Sequence, residues 1–229
     1  MRNLTAAFAI TGICILAVGC GSGSDQAGKT STTTRTTTKA APPLAEDSLK
    51  GLLLTPEQIN TVMGAKDMTI TKYHVAMSDD SATMQPKQCL AVDGAAQSQV
   101  YAGSRFIAVR DQTLQEGDNF NHFAEQALVL FSSAKQAGAF FAASAKQWSK
   151  CEHYTHIQSG TEWNTGPVSN KNGVLSVTAS QQNPKAGGWA CGRALAARNN
   201  VIIDVNTCSA NPGNTAVDIV NQIAAKVRM

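Results

Sequence analysis

A hairpin centred on Asn199-Asn200 constrains this chain more than any other feature. Trp189 to Arg198 and Val201 to Cys208 flank the pair with small and β-branched residues. Two asparagines tolerate positive φ and so suit a two-residue hairpin turn. Counting outward from the closing pair Arg198–Val201, one residue on each arm at a time, brings Cys191 opposite Cys208. Bonded and non-bonded pairs alternate along an antiparallel ladder. This count puts the cysteines on a non-hydrogen-bonded pair, where Cα atoms stand ~4.5 Å apart, a spacing a disulfide accepts.

The same register sorts the two faces of the hairpin. One carries Ala190, Gly192, Ala194 and Ala196 with Val201, Ile203 and Val205, and is expected to pack on helices. The other carries Arg193, Leu195, Asp204 and Asn206. Arg193 lies opposite Asn206 and diagonal to Asp204. A guanidinium, an amide and a carboxylate on one sheet face are candidates to line a polar cleft. Arg193 would hold an anionic or carbonyl part of a ligand through its fork, Asn206 would donate and accept beside it, and Asp204 would orient Arg193. The plainer alternative is a salt bridge on a solvated face, where ion pairs are common and contribute little.

The remaining cysteines depend on where the chain resides. Arg2 precedes an uncharged apolar run from Leu4 to Gly19. That run falls short of the ~20 residues that span a bilayer comfortably but suits a signal peptide. It ends in Leu16-Ala17-Val18-Gly19-Cys20, which resembles a bacterial lipobox with alanine where leucine is commoner at Ala17. Residues 1–19 are therefore expected to be removed and Cys20 to be lipidated. The lipid would hold the protein at the extracytoplasmic face of the cell membrane, because a diacylglyceryl group, usually with a third chain, anchors stably where one chain does not. Of the 6 cysteines, Cys14 leaves with the signal. Cys89, Cys151, Cys191 and Cys208 remain, and an even number in an exported domain implies two disulfides. With Cys191–Cys208 fixed by the hairpin, Cys89–Cys151 follows by elimination. A zinc site is disfavoured by the lack of any C-x-x-C pair and by the oxidising route.

Residues 20–44 read as a stalk. The run Thr30-Ser31-Thr32-Thr33-Thr34-Arg35-Thr36-Thr37-Thr38, followed by Pro42-Pro43, lacks the apolar area to offset chain entropy; such threonine-rich stalks are also candidates for O-glycosylation. Residues 45–229 supply one domain, on the order of 150–200 residues. The formal net charge of +3 includes Arg2. With no basic run and no interleaved aromatic stripe, nothing supports a nucleic-acid partner.

Within the domain, Thr55 is a helix N-cap, Pro56 suits the first helical position and Gln58 completes a capping box. Ile59, Val62 and Met63 give that short helix its buried stripe and Gly64 ends it. Strands are expected over Thr69 to Met77, Val100 to Arg110, Phe123 to Phe131 and Val174 to Ala179. Ser133 caps a longer helix whose Ala137, Phe141, Ser144, Trp148 and Cys151 share one face, so Trp148 reads as core. A last helix from Asn214 or Thr215 buries Ala216, Ile219, Val220, Ile223, Ala224 and Val227. Strands and helices with hairpins indicate an α+β fold: a mainly antiparallel sheet packed with two long helices and a short N-terminal one, held by two disulfides.

The stretch from Ala127-Leu-Val-Leu-Phe131 to Trp148-Ser-Lys-Cys151, and then Trp189-Ala-Cys191-Gly-Arg193-Ala-Leu195 to Asn200-Val-Ile-Ile-Asp204-Val-Asn-Thr-Cys208, resembles the extracellular sensor domain of the mycobacterial PknH-type serine/threonine kinases. So does Leu52-Leu-Leu-Thr-Pro-Glu-Gln-Ile-Asn60 with Val62-Met-Gly64. The resemblance implies an α+β domain with two disulfides, first cysteine to second and third to fourth, and a large cleft for an unidentified ligand. It also implies a place among free-standing lipoproteins of the family, which carry no kinase and so do not signal inward by themselves.

The functional expectation is a non-catalytic binding module on the cell surface, with no cofactor and no metal. Its partners are the membrane, through the N-terminal lipid, and an unidentified small molecule, lipid or cell-wall fragment. An envelope protein-interaction module is the alternative, and an envelope hydrolase a further one. For the latter the sequence offers little: there is no Gly-x-Ser-x-Gly elbow, and Gly21-Ser-Gly-Ser falls in the stalk. His153 and His156 on a strand would point to opposite faces and share no metal; they read as surface histidines.

Overall fold

The computed structural model describes residues 41–118, 120–184 and 188–228. The signal segment, Cys20 and residues 20–40 of the stalk lie outside the described residues.

The chain enters through two turns of 3-10 helix and then α1 (Pro56–Met63). The sequence dictates its ends. Oγ1 of Thr55 accepts from the Gln58 amide, Oε1 of Gln58 accepts from the Thr55 amide at 3.0 Å, and Gly64 closes the helix at φ 68°. There follow β1 (Thr69–His74), β2 (Met84–Gln85), α2 (Leu90–Asp93), α3 (Ser98–Tyr101), β3 (Ala108–Gln115), β4 (Phe123–Leu130) and α4 (Ala134–Trp148). The second half holds β5 (His153–His156), β6 (Thr161–Thr165), β7 (Ser169–Lys171), β8 (Val174–Gln181), β9 (Ala190–Arg198), β10 (Val201–Ser209) and α5 (Thr215–Lys226). One sheet runs in the order β1-β3-β4-β10-β9-β8-β6-β5-β2, with β7 paired to β8. Every pairing among these strands is antiparallel.

The β9–β10 hairpin sits at the centre of this sheet, in the register expected: Arg198 faces Val201, Arg193 faces Asn206 and Cys191 faces Cys208. Asn199 takes the positive φ, 50°. Asn200 is used through its side chain. It bonds Leu44 in both directions (2.8 and 3.0 Å) and donates to the Phe131 carbonyl at 2.8 Å. Cys191 and Cys208 are disulfide-bonded with Cα atoms 4.1 Å apart, and Cys89 is bonded to Cys151.

The alanine-rich hairpin face packs as expected. Ala194, Ala196, Val201, Ile203 and Val205 share a buried cluster with Leu128 and Leu130 of β4, Ile219, Val220 and Ile223 of α5, and Ile59 of α1. Each of the valine, leucine and isoleucine side chains contributes ~1.5–3 kcal/mol by leaving water. Gln126 fastens the N-terminal segment on this side, bonding both the amide and the carbonyl of Leu54 at 2.9 Å.

The opposite face is not solvated over the half of the hairpin nearest its turn. Leu195 and Ile202 join Ala127 and Val129 under Tyr101, Phe131 and Trp148, so α2, α3 and α4 cover it. Trp148 is 1% exposed, a core residue.

Two expectations fail locally. The strand expected over Val100 to Arg110 begins only at Ala108, and Ser98–Tyr101 is helical instead. Between them Gly103 and Arg105 adopt φ of 73° and 61°, left-handed conformations that a continuous strand does not contain. Cys151 lies past the end of α4, although it remains buried.

Candidate functional site

Period-two alternation builds a polar face on one half of the sheet. On β3 it presents Asp111, Thr113 and Gln115, which pair across the ladder with Ala127, Glu125 and Phe123 of β4. The same rows continue onto β10 as Asp204, Asn206 and Cys208, and onto β9 as Leu195, Arg193 and Cys191. At the other edge β1 adds His74 opposite Asp111 and Lys72 opposite Thr113. Because side chains at i and i+2 share a face, these polar groups all project to one side. The segment from Asp93 to Gln97, with His156 of β5 and Trp163 of β6, forms the facing wall. Together they enclose a cleft of about 400 Å³. Phe120, Phe123 and Trp189 stand at one end, with the Phe120 and Trp189 rings 6.0 Å apart.

The three hairpin residues singled out by register occupy different levels of this structure. Asn206, 6% exposed, lines the cleft, and its Nδ2 donates to the Asp93 carbonyl at 2.9 Å. Arg193 and Asp204, at 2% and 1%, lie beneath it. Nη1 of Arg193 is 2.7 Å from Oδ1 of Asp204 and donates to the Val205 carbonyl at 2.6 Å; Nη2 donates to the Ala91 carbonyl at 3.2 Å. The guanidinium also lies 5.2 Å from the centre of the Trp148 ring. Oδ2 of Asp204 accepts from the Ala96 amide at 3.0 Å and from the Tyr101 hydroxyl at 2.9 Å. Arg193 is thus enclosed by its own protein, a correction to its expected place on the cleft wall. The physical reason is the lid of helices over the hairpin, which the register of two strands does not reveal. The pair clamps the segment 91–96 to the sheet, and Ala96 is held there at φ 45°.

Residues that register reasoning passed over form most of the cleft. Four carboxylates line it: Asp80, Asp93, Asp111 and Glu125. Asp80 accepts from the buried Gln97 side chain at 2.7 Å. Asp93 Oδ1 is 2.8 Å from Nε2 of His156, and this bond raises the histidine's pKa above its ordinary value. His156 is therefore a cleft residue, not merely a surface one, while His153 faces away toward Asn164 as the strand spacing requires. Glu125 accepts from the Ala95 amide at 3.3 Å. Asp111 is 1% exposed and its Oδ1 meets no donor. Burial, and then the neighbouring Asp204 charge, push the Asp111 carboxyl up to about 7. Burial and the charge of Asp111 push Glu125 well above the usual carboxylate range. The alternation Asp111-x-Thr113-x-Gln115 was the signal for this floor, and the strand expected over Val100 to Arg110 ended just short of it. Among the described residues no cluster of histidine, cysteine and carboxylate side chains is arranged to hold a metal ion.

The fold and the site together define an antiparallel α+β domain with two disulfides and a polar cleft on one sheet face. The profile of the PknH-like extracellular domain matches residues 44–226, and the chain belongs to that family. It is 34% identical over 190 residues to the serine/threonine-protein kinase PknH of Mycobacterium bovis, and equally to PknH of Mycobacterium tuberculosis. These alignments cover 81% of this chain but 31% and 29% of the kinases, so the chain spans about a third of the length of those relatives. The crystal structure of the extracellular domain of PknH from Mycobacterium tuberculosis superposes with a TM-score of 0.76 at 32% identity, covering 81% of this chain and 97% of that one. The likeness is thus to the extracellular portion of a kinase and not to a catalytic domain. No helix among the described residues is long and apolar enough to cross a membrane.

Proposed function

We propose that this chain is a lipid-anchored protein of the cell surface whose domain binds a small ligand in the sheet-face cleft, without catalysis. The observation that carries this reading is the cleft itself. Its volume of about 400 Å³ falls in the range of small-molecule sites, ~300–1,000 Å³. Its floor is preorganised by side chains that already hold one another: Asn206 on the Asp93 carbonyl, and Arg193 and Asp204 beneath. In this reading Asn206 touches ligand, while Arg193 and Asp204 act as positioning residues that keep the wall from Ala91 to Ala96 in place. Cys20, at the end of Leu16-Ala17-Val18-Gly19-Cys20, attaches the protein to the membrane, and residues 20–44 hold residues 45–229 away from it.

Native mass spectrometry of the protein extracted from its own envelope tests the proposal. The expected result is a bound small molecule that is retained by the wild type and lost on Trp189→Ala at the cleft's end. Recovery of a stoichiometric protein partner with no small molecule would replace it with the interaction-module reading.

A further inference from the structure

We infer that the cleft floor is a recognition site for a cationic nitrogen: Asp111 and Glu125 take the ammonium group of a small primary amine whose flat face lies along Phe120 and Trp189. This rests on the ligand-binding reading above and narrows it to a chemical class.

Two independent observations converge. The first is the inventory of donors around the four cleft carboxylates. Asp80 has Gln97, Asp93 has His156, and Glu125 has the Ala95 amide. Asp111 Oδ1 has none, though the residue is 1% exposed and lines the cleft. A buried carboxylate oxygen without a donor is costly; Glu125 answers it only while it keeps its own proton, so the ionised pair calls for a group supplied from outside. The second is the charge around it. Lys72 and His74 face Asp111 from β1, Glu125 from β4, Asp204 from β10 with Arg193 next to it on β9, and Asp80, Asp93 and His156 from the opposite wall. Arg193 is committed to Asp204 and to two carbonyls. The floor therefore keeps an excess of acid: burial and the Asp204 charge oppose deprotonating Asp111, and burial and the Asp111 charge oppose deprotonating Glu125. A cation between them removes that opposition; a neutral ligand does not. An ammonium brings three donors, enough for both carboxyls and a neighbouring acceptor.

The rest of the ligand follows from spacing. Phe123 is two residues along β4 from Glu125 on the same face, ~7 Å at strand rise, and it adjoins Phe120 and Trp189. A fitting molecule thus places a flat apolar face roughly 7 Å or more from its amine. The high Asp111 pKa agrees with this arrangement, since a proton occupies the place the ammonium would take.

Tryptamine, with N-acetyltryptamine as its uncharged control, tests the inference by calorimetric titration of the folded protein. Tryptamine is expected to bind saturably, and the acetylated form at least tenfold more weakly. Affinity for tryptamine is expected to fall as pH drops from about 8 to about 6, because binding displaces a proton from an acid with its pKa near 7. Asp111→Asn is expected to weaken binding tenfold or more while the circular-dichroism spectrum is retained, and Glu125→Gln serves if that variant does not fold. Equal binding of the acetylated control, pH-independent affinity, or no saturable binding at millimolar tryptamine would each overturn the inference. A neutral ligand found by mass spectrometry alongside those results would leave the ligand-binding reading intact.

Discussion

The guanidinium of Arg193 and the carboxylate of Asp204 meet at 2.7 Å, and neither residue is more than 2% exposed. Their remaining bonds run to backbone and to Tyr101, all inside the protein. A pair in this position behaves unlike one on a solvated face. Removing one partner leaves the other charged and enclosed, which costs far more than the attraction of a surface pair.

Arg193→Ala is therefore expected to destabilise the domain by ~3–5 kcal/mol, against the 0–1 typical of exposed pairs. Urea unfolding of the two proteins measures it. A loss below ~1 kcal/mol would mean that water reaches the pair after all. Arg193→Met, which keeps volume near the Trp148 ring, is expected to recover little, because Asp204 is left buried without its charged partner.

The disulfides give a second test. The Cys89–Cys151 bridge closes 62 residues of chain and Cys191–Cys208 closes 17. Loop-closure entropy alone assigns them ~4 and ~3 kcal/mol. Replacing Cys89 and Cys151 by alanine is expected to lower the thermal midpoint more than replacing Cys191 and Cys208. The effect should also reach the cleft, because Cys89 precedes α2, whose Ala91 carbonyl receives Arg193. The opposite ordering would show that the hairpin bridge holds more than its own short loop.

The hairpin was legible because one short turn fixes the register of every residue on both arms. Cys191–Cys208, the alanine-rich face against α5 and the opposition of Arg193 and Asn206 all follow from it. The two capped helices were legible for a similar reason: caps act within four residues. The cleft was not, because it is assembled from rows that cross β1, β3, β4 and β10 and from a wall contributed by residues 93–97. No local pattern says which strand lies beside which. β5, β6 and β7 are three to five residues long and mostly polar, too short for alternation to stand out. Arg193 and Asp204 were correctly placed on one face, but whether that face met water depended on α2 to α4, far away in the chain.

Anchoring is tested separately from the fold. Cys20→Ala is expected to move the protein from the membrane pellet to the soluble fraction and to remove acyl chains from its N-terminal peptide in mass spectrometry. Acylated protein still sedimenting with membranes would refute the lipobox reading.

The pH dependence of stability follows from Asp111. Its pKa is about 7 in the folded protein, against ~3.9 in an unfolded chain. The folded state therefore binds more protons than the unfolded state between these values, and stability declines as pH rises through that window. Glu125 is shifted in the same direction, so the two lose stability together as pH rises. His156 adds to the trend, because its bond to Asp93 raises its pKa; the stability of that bond is present at low pH and lost as pH rises through the raised value. The wild type is thus expected to resist urea better at about pH 5 than at about pH 8, the reverse of a protein governed by salt-bridged carboxylates. Asp111→Asn should narrow the difference and be more stable than wild type at the higher pH, since it removes a buried acid that must ionise there. His156→Asn should narrow it less and give no gain at high pH. If Asp111→Asn destabilises the protein equally at both values, Asp111 stays uncharged throughout and the floor carries no acid for a cation to meet.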